Sequence, residues 1–341
     1  MRKRVFYHVE ARLGNGLGRH ASDSALFGLN LVEEQHSGDF EQDASGRFRL
    51  PGWLRPPIKH GHAYTLQLLP LYFVVAVLLF LVLGNSVEYL LPARTPRLWG
   101  ALLGKLLLVV AVAVPAFAIS RIEHRSFGDY GLPPVAAFAK LFWFGVAWGL
   151  AFLSLFLFVL KLLGMLSYGS AALHGAHVWK LGFFWAAFFV LVALFEEFTF
   201  RGYTQFAIQQ LAGFWPAALL LSAIFAFMHH SNPGETWLGT IGAGAVALFF
   251  CFTLRRTGNL WFAVGMHASW DWAQSFLYGV PDSGVVEPGH LLQARLHGPA
   301  WLTGGSVGPE GSVLLFVLIA VMWVVFDRLT QSQKSEGRMQ K

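Results

Sequence analysis

The sequence predicts an all-α, polytopic membrane protein with about eight transmembrane helices. Three observations carry this. Apolar residues make up 55% of the 341 and charged residues only 13%, too few to coat a soluble surface. Several apolar runs approach the roughly 20 residues that cross the hydrocarbon core. The 32 Phe and 13 Trp suit lipid-facing surfaces and interfacial belts. Length alone would allow two soluble domains, and composition overrides that count.

The elements follow in order. Residues 1–62 are mixed in charge, rich in Gly, Ser and His, and without a long periodic run. They read as an extramembrane N-terminal segment, partly disordered. It opens on Met1-Arg2-Lys3-Arg4 but lacks the apolar stretch of a signal peptide, so targeting rests on the first membrane helix. Pro51 to Pro57 forms a stiff lead-in. A transmembrane domain over 63–330 then contains apolar runs at Leu66–Leu83, Ala101–Ile119, Ala136–Leu163 and Leu181 onward. Four more follow at Trp215–His230, Leu238–Leu254, Leu260–Leu277 and Val313–Phe326, each bounded by charge, Gly or Pro. Residues 331–341 are a C-terminal tail.

Lys and Arg set the orientation. The N-terminal tail is basic, Arg121 and Arg125 follow the second run, Arg255 and Arg256 the sixth, and Arg328 the eighth. With an even helix count all of these are cytoplasmic together, and so are both termini. The Gly- and Pro-rich stretch 280–311 then falls outside, as a loop or a partly re-entrant cover. The net charge of +6 reflects this orientation. No basic groove suggests a nucleic-acid partner. The one cysteine, Cys251, excludes an intramolecular disulfide and a thiolate metal cluster.

The fourth run contains Phe195-Glu196-Glu197-Phe198-Thr199-Phe200-Arg201-Gly202 and continues past it through Tyr203, Phe206, Ile208 and Leu211. Charges in hydrocarbon are expensive and usually functional. Glu197 and Arg201 are four residues apart, share a helix face and can pair. Glu196 is rotated about 100° away and has no basic partner on its own helix. Helix rise gives the depths. With an unbroken fourth helix turning near Ala212-Gly213, Glu196 and His229 each lie roughly 24 Å from the turn and therefore level with one another. His267 and Asp271, four apart on the seventh run, reach a comparable depth.

Glu196, Glu197, Arg201, His229, His267 and Asp271 together support hydrolysis. Glu196 can act as general base toward water. His229 can hold that water or bind a metal. His267 and Asp271 can supply polarity at a developing oxyanion. His229, His267 and Glu196 also form a two-histidine, one-carboxylate set that suits catalytic zinc, although no His-Glu-x-x-His occurs. Taken singly, each residue has a structural reading: an interfacial histidine, a helix clamp, an aspartate orienting a ring.

Three patterns run in order on successive helices. They are Glu-Glu-x-x-x-Arg at Glu196–Arg201, Phe-x-x-x-His at Phe225–His229, and His-x-x-x-Asp at His267–Asp271. This resembles the CPBP family of intramembrane proteases, the CAAX-protease and bacteriocin-processing family, over about 181–277. The resemblance implies that Glu196 activates water, that His229 assists it or binds metal, and that His267 and Asp271 line the site. It also implies that Glu197 and Arg201 hold the helix. Asp271 stands where many relatives carry Asn. His230 matches no family position and reads as interfacial. The family includes metal-dependent and glutamate-dependent proteases, so zinc is left open.

Three functions follow. The first is an intramembrane endopeptidase acting on a membrane-associated protein or peptide in the lipid bilayer. The others are a non-catalytic immunity or scaffold protein of the same fold, and a transporter. Against a transporter, no repeat symmetry and no paired interrupted helices are visible. The expected location is a bacterial inner membrane.

Overall fold

A computed structural model describes residues 62–90 and 97–339. The N-terminal segment 1–61, with its Pro51–Pro57 lead-in, and the last two residues lie outside the described residues. All eight predicted runs are helical. Helix α1 is His62–Leu90, α2 Arg97–Ile122, α3 Lys140–Leu162 and α4 Ala176–Arg201. Then come α5 Tyr203–Ala212, α6 Phe214–His229, α7 Trp237–Thr257 and α8 Trp261–Trp272. A single turn, α9 (Ala300–Thr303), precedes α10 (Val313–Met339). The chain is an integral membrane protein: six helical stretches among the described residues are long and apolar enough to cross a membrane.

Among the described residues, six stretches rather than the expected eight meet the length and composition of a span. Helix α6 has only 16 residues and α8 only 12, both short of the roughly 20 that span hydrocarbon. Helix α8 is prolonged by a π-helical turn, Ala273–Tyr278. Nearly all of α8 is buried inside the bundle rather than set against lipid.

The fourth run also differs from expectation, because α4 stops at Arg201 and the chain bends before α5. Gly202 (φ −82°, ψ −122°) leaves the helical region. A Cβ there would lie 2.4 Å from the Phe198 carbonyl oxygen, so a side chain at this position would force the bend apart. The hairpin depth estimate assumed an unbroken helix, and this bend removes that premise.

Helix α8 is seated by α3. A Cβ on Gly145 would meet the Phe262 carbonyl oxygen at 2.1 Å, and one on Gly265 would meet that of Phe142 at 2.1 Å. Small residues let the two backbones touch, as in close transmembrane crossings. Trp148, Phe249, Phe262, Met266 and Phe326 then pack a second layer behind α8.

The ends of the helices sort by charge. Leu260 N donates to Gly131 O at 2.7 Å and Trp261 Nε1 to Pro133 O at 3.0 Å, joining the α2–α3 and α7–α8 turns. Arg256 pairs with Asp327 of α10. Arg121, Arg125, Arg255, Arg256 and Arg328 therefore belong to one end of the bundle. At the other end, the stretch 279–312 folds over. It is tied down by an antiparallel pair of short strands, β1 (Leu166–Tyr168) and β2 (Ala294–Leu296), with Leu166 opposite Leu296.

Candidate active site

The three motifs converge on one cavity of about 430 Å³. Glu196 from α4, His229 from α6, and His267 and Asp271 from α8 all line it. Its remaining wall is largely apolar, with Phe188, Val192, Phe250 and Met266 among the lining residues.

Glu197 and Arg201 sit behind this wall with side chains wholly buried. Arg201 Nη1 donates to Glu197 Oε1 at 3.2 Å, one helical turn apart, as the spacing predicts. The rest of the guanidinium is enclosed by rings, its carbon 4.5 Å from the Phe225 ring centre and 6.0 Å from that of Phe250. Cation–π attraction is strongest in such dry surroundings.

Phe225 also shapes its own motif. His229 Nδ1 lies 2.9 Å from the Phe225 carbonyl oxygen, which can only accept, so Nδ1 carries the hydrogen. In the neutral ring, Nε2 is then a free acceptor. The two rings lie 4.2 Å apart. The Phe-x-x-x-His spacing thus fixes the tautomer of the histidine and caps the arginine of the first motif.

His267 is held from both sides. Nδ1 lies 2.9 Å from Glu197 Oε1, and Nε2 faces Asp271 Oδ2 at 3.4 Å and Glu196 Oε2 at 3.7 Å. Its ring stacks on Phe250, 5.8 Å between centres and 22° between planes. With protons on both nitrogens, this ring donates to carboxylates on either side. Sequence reasoning gave Glu197 to Arg201 alone. Its second partner, His267, comes from a distant helix that spacing cannot register.

His230 points elsewhere, Nδ1 2.8 Å from Thr240 Oγ1 with its ring stacked on Trp237. Cys251 is buried beside Ser222, 3.9 Å away.

Residues 178–273 match the family model described as Rce1-like, type II CAAX prenyl endopeptidase. The matched segment covers under a third of the chain. It runs from α4 to the first residue of the π-helical turn and so contains all three motifs, in agreement with the resemblance drawn from them. No curated protein and no solved structure matches the chain.

Among the described residues, no group of three or more His, Cys, Asp or Glu side chains is arranged to hold a metal ion. His267 meets carboxylates at both nitrogens and His229 Nδ1 bonds a carbonyl.

Three acids that sequence reasoning passed over also line the cavity, Asp282, Glu287 and Glu310. All come from the stretch 279–312, which does cover the site. Trp270 Nε1 and Gln274 Nε2 donate to the Glu310 carboxylate at 3.0 and 2.9 Å. Burial pushes its pKa up to about 7 against these two bonds, which pull it down, with the Asp271 charge adding to the rise. Only the composition of this stretch was informative in the sequence, and Gly and Pro there signalled no more than a loop.

Proposed function

We propose that the chain is an intramembrane endopeptidase of the CAAX type, hydrolysing a peptide bond in a membrane-associated protein or peptide. The observation that carries the reading is that Glu196, His229 and His267 line one cavity. They come from three helices, and Glu196 stands 3.7 Å from His267. Glu196 is the general base. It takes a proton from a water held by His229 Nε2, and the resulting hydroxide attacks the scissile carbonyl. His267, oriented by Glu197, donates to the oxyanion. Preorganised donors of this kind act strongly in a dry site. Asp271 orients the His267 ring and limits which way it turns. The Arg201–Glu197 pair keeps α4 and the His267 ring in register.

The location proposed is a bacterial inner membrane with both termini in the cytoplasm, since the basic ends of the helices gather at one end of the bundle.

The test is a peptidase assay on detergent-purified full-length protein, using internally quenched peptides with and without an alkyl chain on a cysteine. Wild type should cleave and Glu196→Gln should not. Absence of cleavage by wild type across the panel, with Glu196→Gln equally silent, points to the non-catalytic member of the fold.

A further inference from the structure

The matched family segment ends at residue 273, yet the cavity is closed by residues beyond it. Asp282 is the acid of this cover with the most exact placement. It opens a tight turn in which Asp282 N donates to Val285 O and Val285 N to Asp282 O, both at 2.8 Å. The two central residues, Ser283 (φ 48°) and Gly284 (φ 84°), lie in the left-handed region. A Cβ on Gly284 would sit 2.0 Å from the Pro233 carbonyl oxygen, so the turn is pinned against the α6–α7 connection just beyond His229. A serine held at positive φ is the kind of local strain that persists where position matters.

Its carboxyl group is oriented as well. Ser275 Oγ donates to Asp282 Oδ2 at 2.8 Å, which leaves Oδ1 as the oxygen that can carry a proton. Asp271 and His267 on α8, Glu310 before α10 and Ser275 on the π-helical turn are the groups that act on it. Crowded carboxyl groups in a low-dielectric site cannot all be ionised. Burial raises the pKa of Asp282 well above the carboxylate range, and Asp271 and Glu310 add to the rise.

Peptide hydrolysis needs such a group, because an amide nitrogen leaves as an amine only after it gains a proton. We propose that Asp282 is the general acid that protonates the leaving nitrogen, an inference that rests on the endopeptidase reading above. In the first step a water O–H proton goes to Glu196 and the oxygen bonds to the carbonyl carbon. In the second, the C–N bond breaks as nitrogen takes the proton from Asp282. The proton on Glu196 then returns through water to Asp282, so both groups finish as they began. The two products are the carboxylic acid and the free amine, and no external oxidant or reductant enters.

The experiment compares one acyl peptide carried on two leaving groups, an ordinary amide and a p-nitrophenyl ester, whose phenolate departs without a proton. Asp282→Asn should lower kcat on the amide by about 10²-fold, the usual contribution of a positioned acid. On the ester it should stay within about threefold of wild type, since no transition-state proton is removed there. Ester turnover also reports that the variant is folded. Asp282→Glu should recover part of the amide rate. Equal losses on both substrates, or an unchanged amide rate in Asp282→Asn, overturn the proposal. Glu196→Gln should lose both activities. If it keeps the amide rate instead, the endopeptidase mechanism fails at its base, a result distinct from failure of the acid.

Discussion

His267 Nδ1 lies 2.9 Å from Glu197 Oε1, the same oxygen that accepts from Arg201 Nη1 at 3.2 Å. One buried carboxylate atom therefore joins the helix clamp to the ring that faces the cavity. A pair that spacing marks as structural is also the support that orients a site residue. Such supporting hydrogen bonds set both the tautomer and the direction of a histidine.

This sharing separates two variants. Arg201→Ala leaves a buried carboxylate without its cation, which should cost on the order of 3–5 kcal/mol. The readout is a lower melting temperature and folded yield in detergent. Glu197→Gln keeps a hydrogen-bonding group beside both partners, but removes the charge that holds the His267 proton. It should retain more of the fold than Arg201→Ala while kcat falls. Normal melting of Arg201→Ala with activity alone lost would move the arginine into the chemistry.

Glu196→Gln is the direct test of the base. The side chain is nearly isosteric and lies on the cavity wall, so the fold should stand. Turnover should fall by at least about 10²-fold at equal folded concentration. His229→Ala should be impaired to a similar degree. Rates equal to wild type in Glu196→Gln would remove it as the base.

Packing of α3 on α8 carries a prediction of its own. Gly265→Ala places a Cβ 2.1 Å from the Phe142 carbonyl oxygen, so backbone must move. Overpacking of this kind costs about 1–3 kcal/mol. Because Gly265 is two residues before His267, the variant should lose activity in excess of its loss of stability. Thermal melting together with kcat on the same preparation distinguishes the two.

The fold was legible where hydrophobic runs are long. All eight predicted runs are helical, and the cavity-lining Glu196, His229, His267 and Asp271 follow from charges that hydrocarbon would not otherwise tolerate. What escaped was long-range or glycine-borne. The bend at Gly202 sits in a run that remains apolar on either side, so hydropathy registers no interruption. Helix α8 reads like a span because burial in protein and burial in lipid select the same side chains. Contacts such as Glu197 to His267 join distant helices and leave no periodic trace. Asp282 and Glu310 lie among turns, where composition marks a loop without saying what it covers.

Sidedness is open to labelling. Six spans or eight, the count is even, and the Arg256–Asp327 pair joins the end of α7 to the middle of α10 at the basic end of the bundle. Single cysteines placed near each terminus of a Cys251→Ala background should both react from the cytoplasmic side only. Reaction from opposite sides would mean an odd count of crossings.

Glu310 makes stability depend on pH in a direction that can be stated. Its pKa rises from 4.5 to about 7, chiefly because burial disfavours the charged form. The folded protein therefore binds this proton more tightly than the unfolded chain does. Between about pH 4.5 and 7 the folded state holds more protons, so unfolding free energy falls as pH rises, and the loss is complete above the folded pKa. A shift of this size corresponds to about 3 kcal/mol at most. Asp282 is shifted in the same direction by burial and by Asp271, so it adds to the trend. Melting temperature in detergent should thus decline from pH 5 to pH 8. Glu310→Gln keeps one of the two acceptor oxygens that Trp270 and Gln274 use but cannot ionise, and should flatten part of that slope, leaving the share due to Asp282. The double variant Glu310→Gln with Asp282→Asn should flatten it further. A wild-type melting temperature that climbs across this range, or a slope untouched by Glu310→Gln, would mean that Glu310 keeps an ordinary carboxylate pKa in the folded protein.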